Sequence, residues 1–260
     1  MRVTRIGGPT ALVEWEGWRI LTDPTFDPPG RTYSFGFGTT SRKTTGPAIS
    51  VDDLGPIDVV LLSHHQHADN LDDAGAALLA RVGTVLTTRA GAKALDHPDI
   101  RGLAAGESTT LQGSGRRSLR VDATPGRHGA PLTRPIVGPA VGFALTPEGA
   151  DRPVLWMTGD TVLYGALRRA VAGMRPDVAL MHVGAVKFPI SGPLAYTMHA
   201  RDAVELIGIV EPGTAVPVHV EGWSHFSEQE AAAAQVFDAA PPAVRDRVTW
   251  APLGQALELG

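Results

Sequence analysis

The sequence predicts a single mixed α/β domain with a polar site at the ends of its buried strands. Three observations predict it. Short apolar, β-branched runs such as Asp58-Val59-Val60-Leu61-Leu62 and Ala215-Val216-Pro217-Val218 have the composition of strands buried on both faces. Between such runs lie segments with Ala and Leu at helical spacing, as from Leu71 to Val82. A chain of 260 residues with 43% hydrophobic content can bury a large core, and no break in composition divides residues 1–260 into two units.

Charge and cysteine content narrow the function. A formal net charge of −4 offers no basic field for nucleic acid, and no apolar run reaches the roughly 18 residues a membrane span needs. The expected partner is a small-molecule substrate, with neither nucleic acid nor membrane involved and a homo-oligomer left open. Residues 1–6 enter a strand-like pattern without the apolar core of a signal peptide, and cysteine is absent, which points to the cytoplasm. Without thiolates, the metal ligands on offer are His, Asp and Glu, which suit zinc, manganese or iron.

In chain order, Val3–Ile6, Thr10–Trp15 and Arg19–Leu21 read as an antiparallel meander punctuated by Gly7-Gly8-Pro9 and Gly17. Residues 22–38 are rich in Pro, Gly and aromatics and show no periodicity, as expected of a flap or an ordinary surface loop. The strand from Asp58 runs into Ser63-His64-His65-Gln66-His67-Ala68-Asp69-Asn70, which holds three of the chain's nine histidines. A helix over 71–82 follows, with Asp72 and Asp73 near its start, where carboxylates favour the helix dipole. Short strands at 85–87, 109–111 and 118–124 surround a small helix near 90–95, and His97 sits in the turn Asp96-His97-Pro98-Asp99, where it reads as solvated. His128 follows the tight turn Pro125-Gly126-Arg127 at a strand end. The strands 141–145 and 154–157 lead to Thr158-Gly159-Asp160-Thr161 and a helix over 162–170, which Asp160 is placed to cap. A strand over 177–183, a Gly/Pro-rich loop over 184–195 and a helix over 200–209 precede the last buried strand, which ends in His219. Ser227-Glu228-Gln229-Glu230 has the pattern of a capping box opening an alanine-rich helix. From Pro241 a short helix and one or two edge strands are expected.

Four separate strand ends thus carry His or Asp, and sites in α/β sheets gather where strand termini open onto loops. Neutral imidazole is the commonest transition-metal ligand in proteins.

These residues resemble the metallo-β-lactamase superfamily, whose H-x-H-x-D-H motif follows a buried strand and is succeeded by a lone His, a Gly-Asp and a final His. Here the matches are His65-Gln66-His67-Ala68-Asp69-Asn70, His128, Gly159-Asp160 and His219, with Leu21-Thr22-Asp23-Pro24 similar to the family's early aspartate turn. Within it the chain looks most like the L-ascorbate-6-phosphate lactonase branch. The resemblance implies an αββα sandwich of two mixed β-sheets flanked by helices, holding one or two divalent metal ions, Zn2+ first and Mn2+ or Fe2+ as alternatives. One site would draw on His64 or His65, with His67 and His128, since anchoring on Ser63 selects His64 and anchoring on Asp69 selects His65. The other would draw on Asp69, His219 and Asn70, with Asp160 bridging. Asn70 stands where a second imidazole is expected, and His199 or His225 are candidates to replace it. Asp69 would orient the attacking water, and His225 would polarise substrate or protonate the leaving group. The expected activity is hydrolysis of a small lactone, ester or related acyl compound. The alternatives are a phosphodiesterase of the same fold and a non-catalytic metal- or ligand-binding protein.

Overall fold

The computed structural model describes the backbone of all 260 residues and every side chain except those of Leu132, Arg134 and Ile136. The first half of the chain contains β1 (Arg2–Gly7), β2 (Thr10–Trp15), β3 (Trp18–Thr22), β4 (Thr32–Gly36), β5 (Thr39–Arg42), β6 (Val59–Leu61), α1 (Asp73–Leu79), β7 (Thr84–Thr88), α2 (Arg89–Ala94) and β8 (Ile100–Leu103). The second half contains β9 (Ser108–Leu111), β10 (Leu119–Pro125), α3 (Arg134–Val137), β11 (Val141–Pro147), β12 (Leu155–Met157), α4 (Gly165–Val171), β13 (Val178–His182), α5 (Ala200–Val210), β14 (Thr214–Val218), α6 (Glu230–Asp238), α7 (Pro242–Arg245) and β15 (Ala256–Glu258).

The strands form two mixed sheets. One has the order β15-β1-β2-β3-β6-β7-β8, with the expected antiparallel meander β1-β2-β3 and parallel pairing from β3 through β8. The other runs β14-β13-β12-β11-β10-β9 and is parallel only across β12-β13-β14. Alternation along β6 explains how the layers stack. Val59 and Leu61 enter the core between the sheets with Phe143, Met157 and Leu180, whereas Val60 and Leu62 join Leu78 and Leu79 of α1 on the outer face. On the far side, Trp156 and Met181 pack against Leu167, Leu206, Ile207 and Phe237 of α4, α5 and α6. The result is a helix–sheet–sheet–helix sandwich. No helix among the described residues is long and apolar enough to cross a membrane.

Several local expectations are corrected. Residues 32–42 form the hairpin β4-β5, because Thr32-Tyr33-Ser34-Phe35 alternates at period two and turns at Gly36-Phe37-Gly38. His97 is buried rather than solvated; its Nε2 donates to the carbonyl of Val82 and its Nδ1 accepts from Asp99 N–H at 3.1 Å. Asp160 caps no helix, since α4 starts at Gly165 after Tyr164. The capping box also fails: Ser227 donates to Ala185 O, and Glu230 is drawn to the buried Arg5 at 2.7 Å, so α6 starts at Glu230.

Candidate metal centre

The parallel strands place the polar residues. β3, β6, β12, β13 and β14 run the same way into one rim, where Asp23, Ser63-His64, Gly159-Asp160, His182 and His219 lie at their ends. Gly159 is required there. It has φ of +61°, and a Cβ on it would lie 2.5 Å from Val141 O and 2.8 Å from Ser63 Cβ. His219 itself has φ of +64°, an uncommon conformation for a residue with a side chain.

Two groups of buried donors converge on this rim. In one, ligand atoms of His64, His67 and His128 lie within 4.8 Å of one another; in the other, those of Asp69, Asp160 and His219 do. His64 Nε2 is 3.0 Å from His67 Nδ1, which is 3.2 Å from His128 Nε2. His65 lies outside both groups and is only half-buried, so the geometry follows the register anchored on Ser63. His199 also lies outside them, at the start of α5 with Nδ1 3.9 Å from Glu228.

Carbonyl oxygens set two of the tautomers. His128 Nδ1 donates to Tyr196 O at 3.0 Å and His219 Nδ1 donates to Val183 O at 3.1 Å, which leaves Nε2 of neutral His128 as the lone-pair nitrogen aimed into the group and makes Nε2 of His219 the nitrogen that a cation would deprotonate and bind. Burial, reinforced by the neighbouring imidazoles, holds His64 well below its usual range and His128 at about 3, so both are neutral near pH 7. Burial raises Asp160 to about 6 despite His219. It would likewise lower His219, but Asp160 and Asp69 outweigh it and push His219 up to about 9. Asp69 stays well below the usual carboxylate range: burial opposes ionisation, and His225 and His219 overcome it.

The unmet hydrogen-bonding capacity fits a cation. Both oxygens of Asp160, Oδ1 of Asp69 and Nε2 of His219 are buried without a partner, although His219 Nε2 lies 3.5 Å from Asp69 and 3.6 Å from Asp160. Buried polar atoms are rarely left so. Three neutral imidazoles beside two carboxylates and a fourth imidazole are a suitable donor set for zinc-like ions.

The surroundings fix these side chains. His225 Nε2 donates to Asp69 Oδ2 at 2.9 Å, and its ring is held among Trp223, Phe35 and Phe188. Asn70 Nδ2 points to Asp23 Oδ2 at 3.3 Å and Ser63 Oγ at 3.4 Å, which turns Oδ1 away from both and leaves it buried and unpartnered. Asp23 also accepts from Ser63 N–H at 2.7 Å and lies 3.2 Å from His182 Nε2. Sequence reasoning missed His182. The signal was present, a histidine ending a buried strand, as with His128 and His219.

A sandwich of two mixed sheets with these donors at its rim defines a metal-dependent hydrolase of the β-lactamase fold. The chain belongs to the beta-lactamase superfamily: the family described as "Beta-lactamase superfamily domain" matches residues 18–220. It is 30% identical to a UPF0173 metal-dependent hydrolase of Opitutus terrae, over 84% of each chain. It is 23% identical to UPF0173 protein YddR of Bacillus subtilis, over 87% of this chain and 88% of that one. Its fold is similar to that of an isothiocyanate hydrolase from Delia radicum gut bacteria (TM-score 0.80, 20% identity) and of a possible metal-dependent hydrolase from Veillonella parvula (TM-score 0.82, 20% identity); each match covers 100% of this chain and 99% of the other.

Proposed function

We propose that the protein hydrolyses a small lactone, ester or related acyl compound, with His64, His67 and His128 holding one divalent cation and Asp69, Asp160 and His219 a second. The observation that carries this reading is the pair of buried three-donor groups whose carboxylate and imidazole atoms have no other partner. Zinc suits the imidazole-rich donors best, and manganese or iron are the alternatives. A divalent cation in such a site lowers the pKa of bound water from about 15.7 toward about 7 and polarises a carbonyl oxygen.

The chain's own residues do the rest. Asp69 reaches the cavity with Oδ2 engaged by His225 and Oδ1 facing the cation site, where it would hold and orient the attacking water. His225 acts through Asp69 as a positioning residue, its Nε2 on Asp69 Oδ2 and its ring packed behind the cavity walls Phe35 and Phe188, and polarising substrate or protonating the leaving group is its alternative role. Tyr196 O and Val183 O keep His128 and His219 in the ligand tautomer. The resemblance of the sequence motifs to the ascorbate-6-phosphate lactonase-like branch is what suggests a lactone or ester among the candidate substrates.

The test is hydrolysis of a generic ester and of bis-p-nitrophenyl phosphate by chelator-stripped protein with and without added Zn2+. Ester cleavage restored by metal and abolished in His67→Ala supports the reading. Cleavage of the diester alone makes the protein a phosphodiesterase, and metal binding without turnover leaves a binding protein.

A further inference from the structure

The cavity over the donor groups is an aromatic box, and we infer that the substrate is an uncharged compound carrying an aromatic or similarly compact apolar group next to the bond that is cleaved. This inference rests on the hydrolase reading and concerns which molecules the same site accepts. The cavity has a volume of about 190 Å³. Its polar floor is His67, Asp69 and His128, and its walls are Phe35, Phe188, Tyr196 and Val186, with Phe37 and Ile190 at the mouth. A cavity of roughly 150 Å³ lined by apolar side chains is large enough for benzene, so one ring and a short acyl group match the space.

The walls are built rather than incidental. Phe35 is 5.5 Å from Phe188, and Phe188 is 5.9 Å from Tyr196, ring centre to ring centre. The same rings touch the ligand imidazoles: Phe35 lies 5.6 Å from His67 and Tyr196 lies 5.7 Å from His128. Tyr196 therefore serves twice, its carbonyl orienting His128 and its ring walling the cavity. Phe37 and Ile190 are 69% and 75% exposed, although both are large apolar side chains. An apolar ligand seated between the β4-β5 turn and the 189–191 turn would cover them.

Beyond what the cations themselves would bind, recognition of a phosphate or carboxylate substituent calls for Arg, Lys or a row of backbone donors. Among the described residues no Arg or Lys lines this cavity. Lys43 is committed to Asp72, and Arg31 to Asp27 and Asp73. The hydroxyl of Ser191, one of the few other polar groups in the lining, is already bonded to the carbonyl of Phe188 at 2.7 Å. Among the described residues, these walls offer the remote anionic group of a phosphorylated or carboxylated substrate no charge to pair with.

The experiment uses the full chain loaded with Zn2+ and two readouts. Dissociation constants are measured by calorimetry for phenylacetohydroxamate and acetohydroxamate, and kcat/KM is measured for methyl phenylacetate, methyl acetate, monomethyl succinate and acetylcholine. Burying a phenyl ring should favour the phenyl member of each pair by roughly 10- to 100-fold over its acetyl counterpart. The anionic and cationic esters should fall below methyl phenylacetate. In Phe188→Ala the phenyl-to-acetyl ratio should drop below about 3-fold; Phe188→Leu, which keeps an apolar side chain, should fall between, and both variants should retain wild-type metal content. Equal affinity for the two hydroxamates, or a preference for the anionic or cationic ester, overturns the inference while leaving the hydrolase reading intact. A strong phenyl preference in binding with no ester cleaved defeats the hydrolase reading and leaves the aromatic box standing.

Discussion

Replacing Lys43 by Met tests how the β4-β5 hairpin, and with it the Phe35 wall, is fastened to the sandwich. Lys43 is 3% exposed and its Nζ lies 2.7 Å from Asp72 Oδ2, a carboxylate with no exposure. Asp72 also accepts from the backbone N–H groups of Phe26, Asp27 and Gly75 at 2.7 to 2.9 Å, so a single side chain ties the 22–30 segment, the start of α1 and the hairpin together. Removing one partner of a buried ion pair costs about 3–5 kcal/mol, because the other charge is left uncompensated. The three N–H donors that remain on Asp72 place this case near the low end, about 3 kcal/mol. The urea midpoint should then fall by about 1 M. The double variant Lys43→Met with Asp72→Asn removes the stranded charge and should recover at least about 1 kcal/mol of that loss. A single-variant loss under about 0.5 kcal/mol, or a double variant no more stable than the single, would refute the claim that this pair is the fastening.

Other perturbations have equally definite outcomes. Gly159→Ala forces a side chain into φ of +61° and against Val141 O and Ser63 Cβ, so unfolding should show a loss of about 2 kcal/mol or more, together with reduced metal content. Chelator-stripped protein should melt lower than metal-loaded protein; at free metal about 100 times Kd each site adds about 2.7 kcal/mol, or roughly 5–10 °C in a chain of this size, and identical melting curves would count against tight binding. Asn70→His offers an imidazole in place of an amide and should slow loss of the second metal equivalent to a chelator by about tenfold or more; unchanged release would mean that position 70 does not face the metal.

Much of the fold was legible because its signals are local. The doubly buried run Val59-Val60-Leu61-Leu62 and the opening meander lie where composition and alternation place them. The hairpin at 32–42 was obscured because Pro28, Pro29 and the surrounding glycines masked the short alternation of Tyr33 and Phe35. Asp160 and Ser227 show the reverse case, in which a local capping pattern loses to tertiary demands: Asp160 stands among His219 and Asp69, and Ser227 donates to Ala185. His64 and His65 are adjacent and chemically identical, so their assignment needs the path of the chain after β6, which turns His64 inward and leaves His65 half-exposed. The link from Asp23 to His182 spans 159 positions and has no signature in either segment alone.

The central claim is that two separate donor groups each hold a cation, and metal content per chain tests it most directly. Wild type, His128→Asn and Asp160→Asn should be stripped, dialysed against limiting excess Zn2+ and analysed for bound metal, with circular dichroism confirming that each remains folded. The account predicts about two equivalents in wild type and about one in each variant. No bound metal in folded wild-type protein, or a stoichiometry unmoved by either substitution, would contradict it.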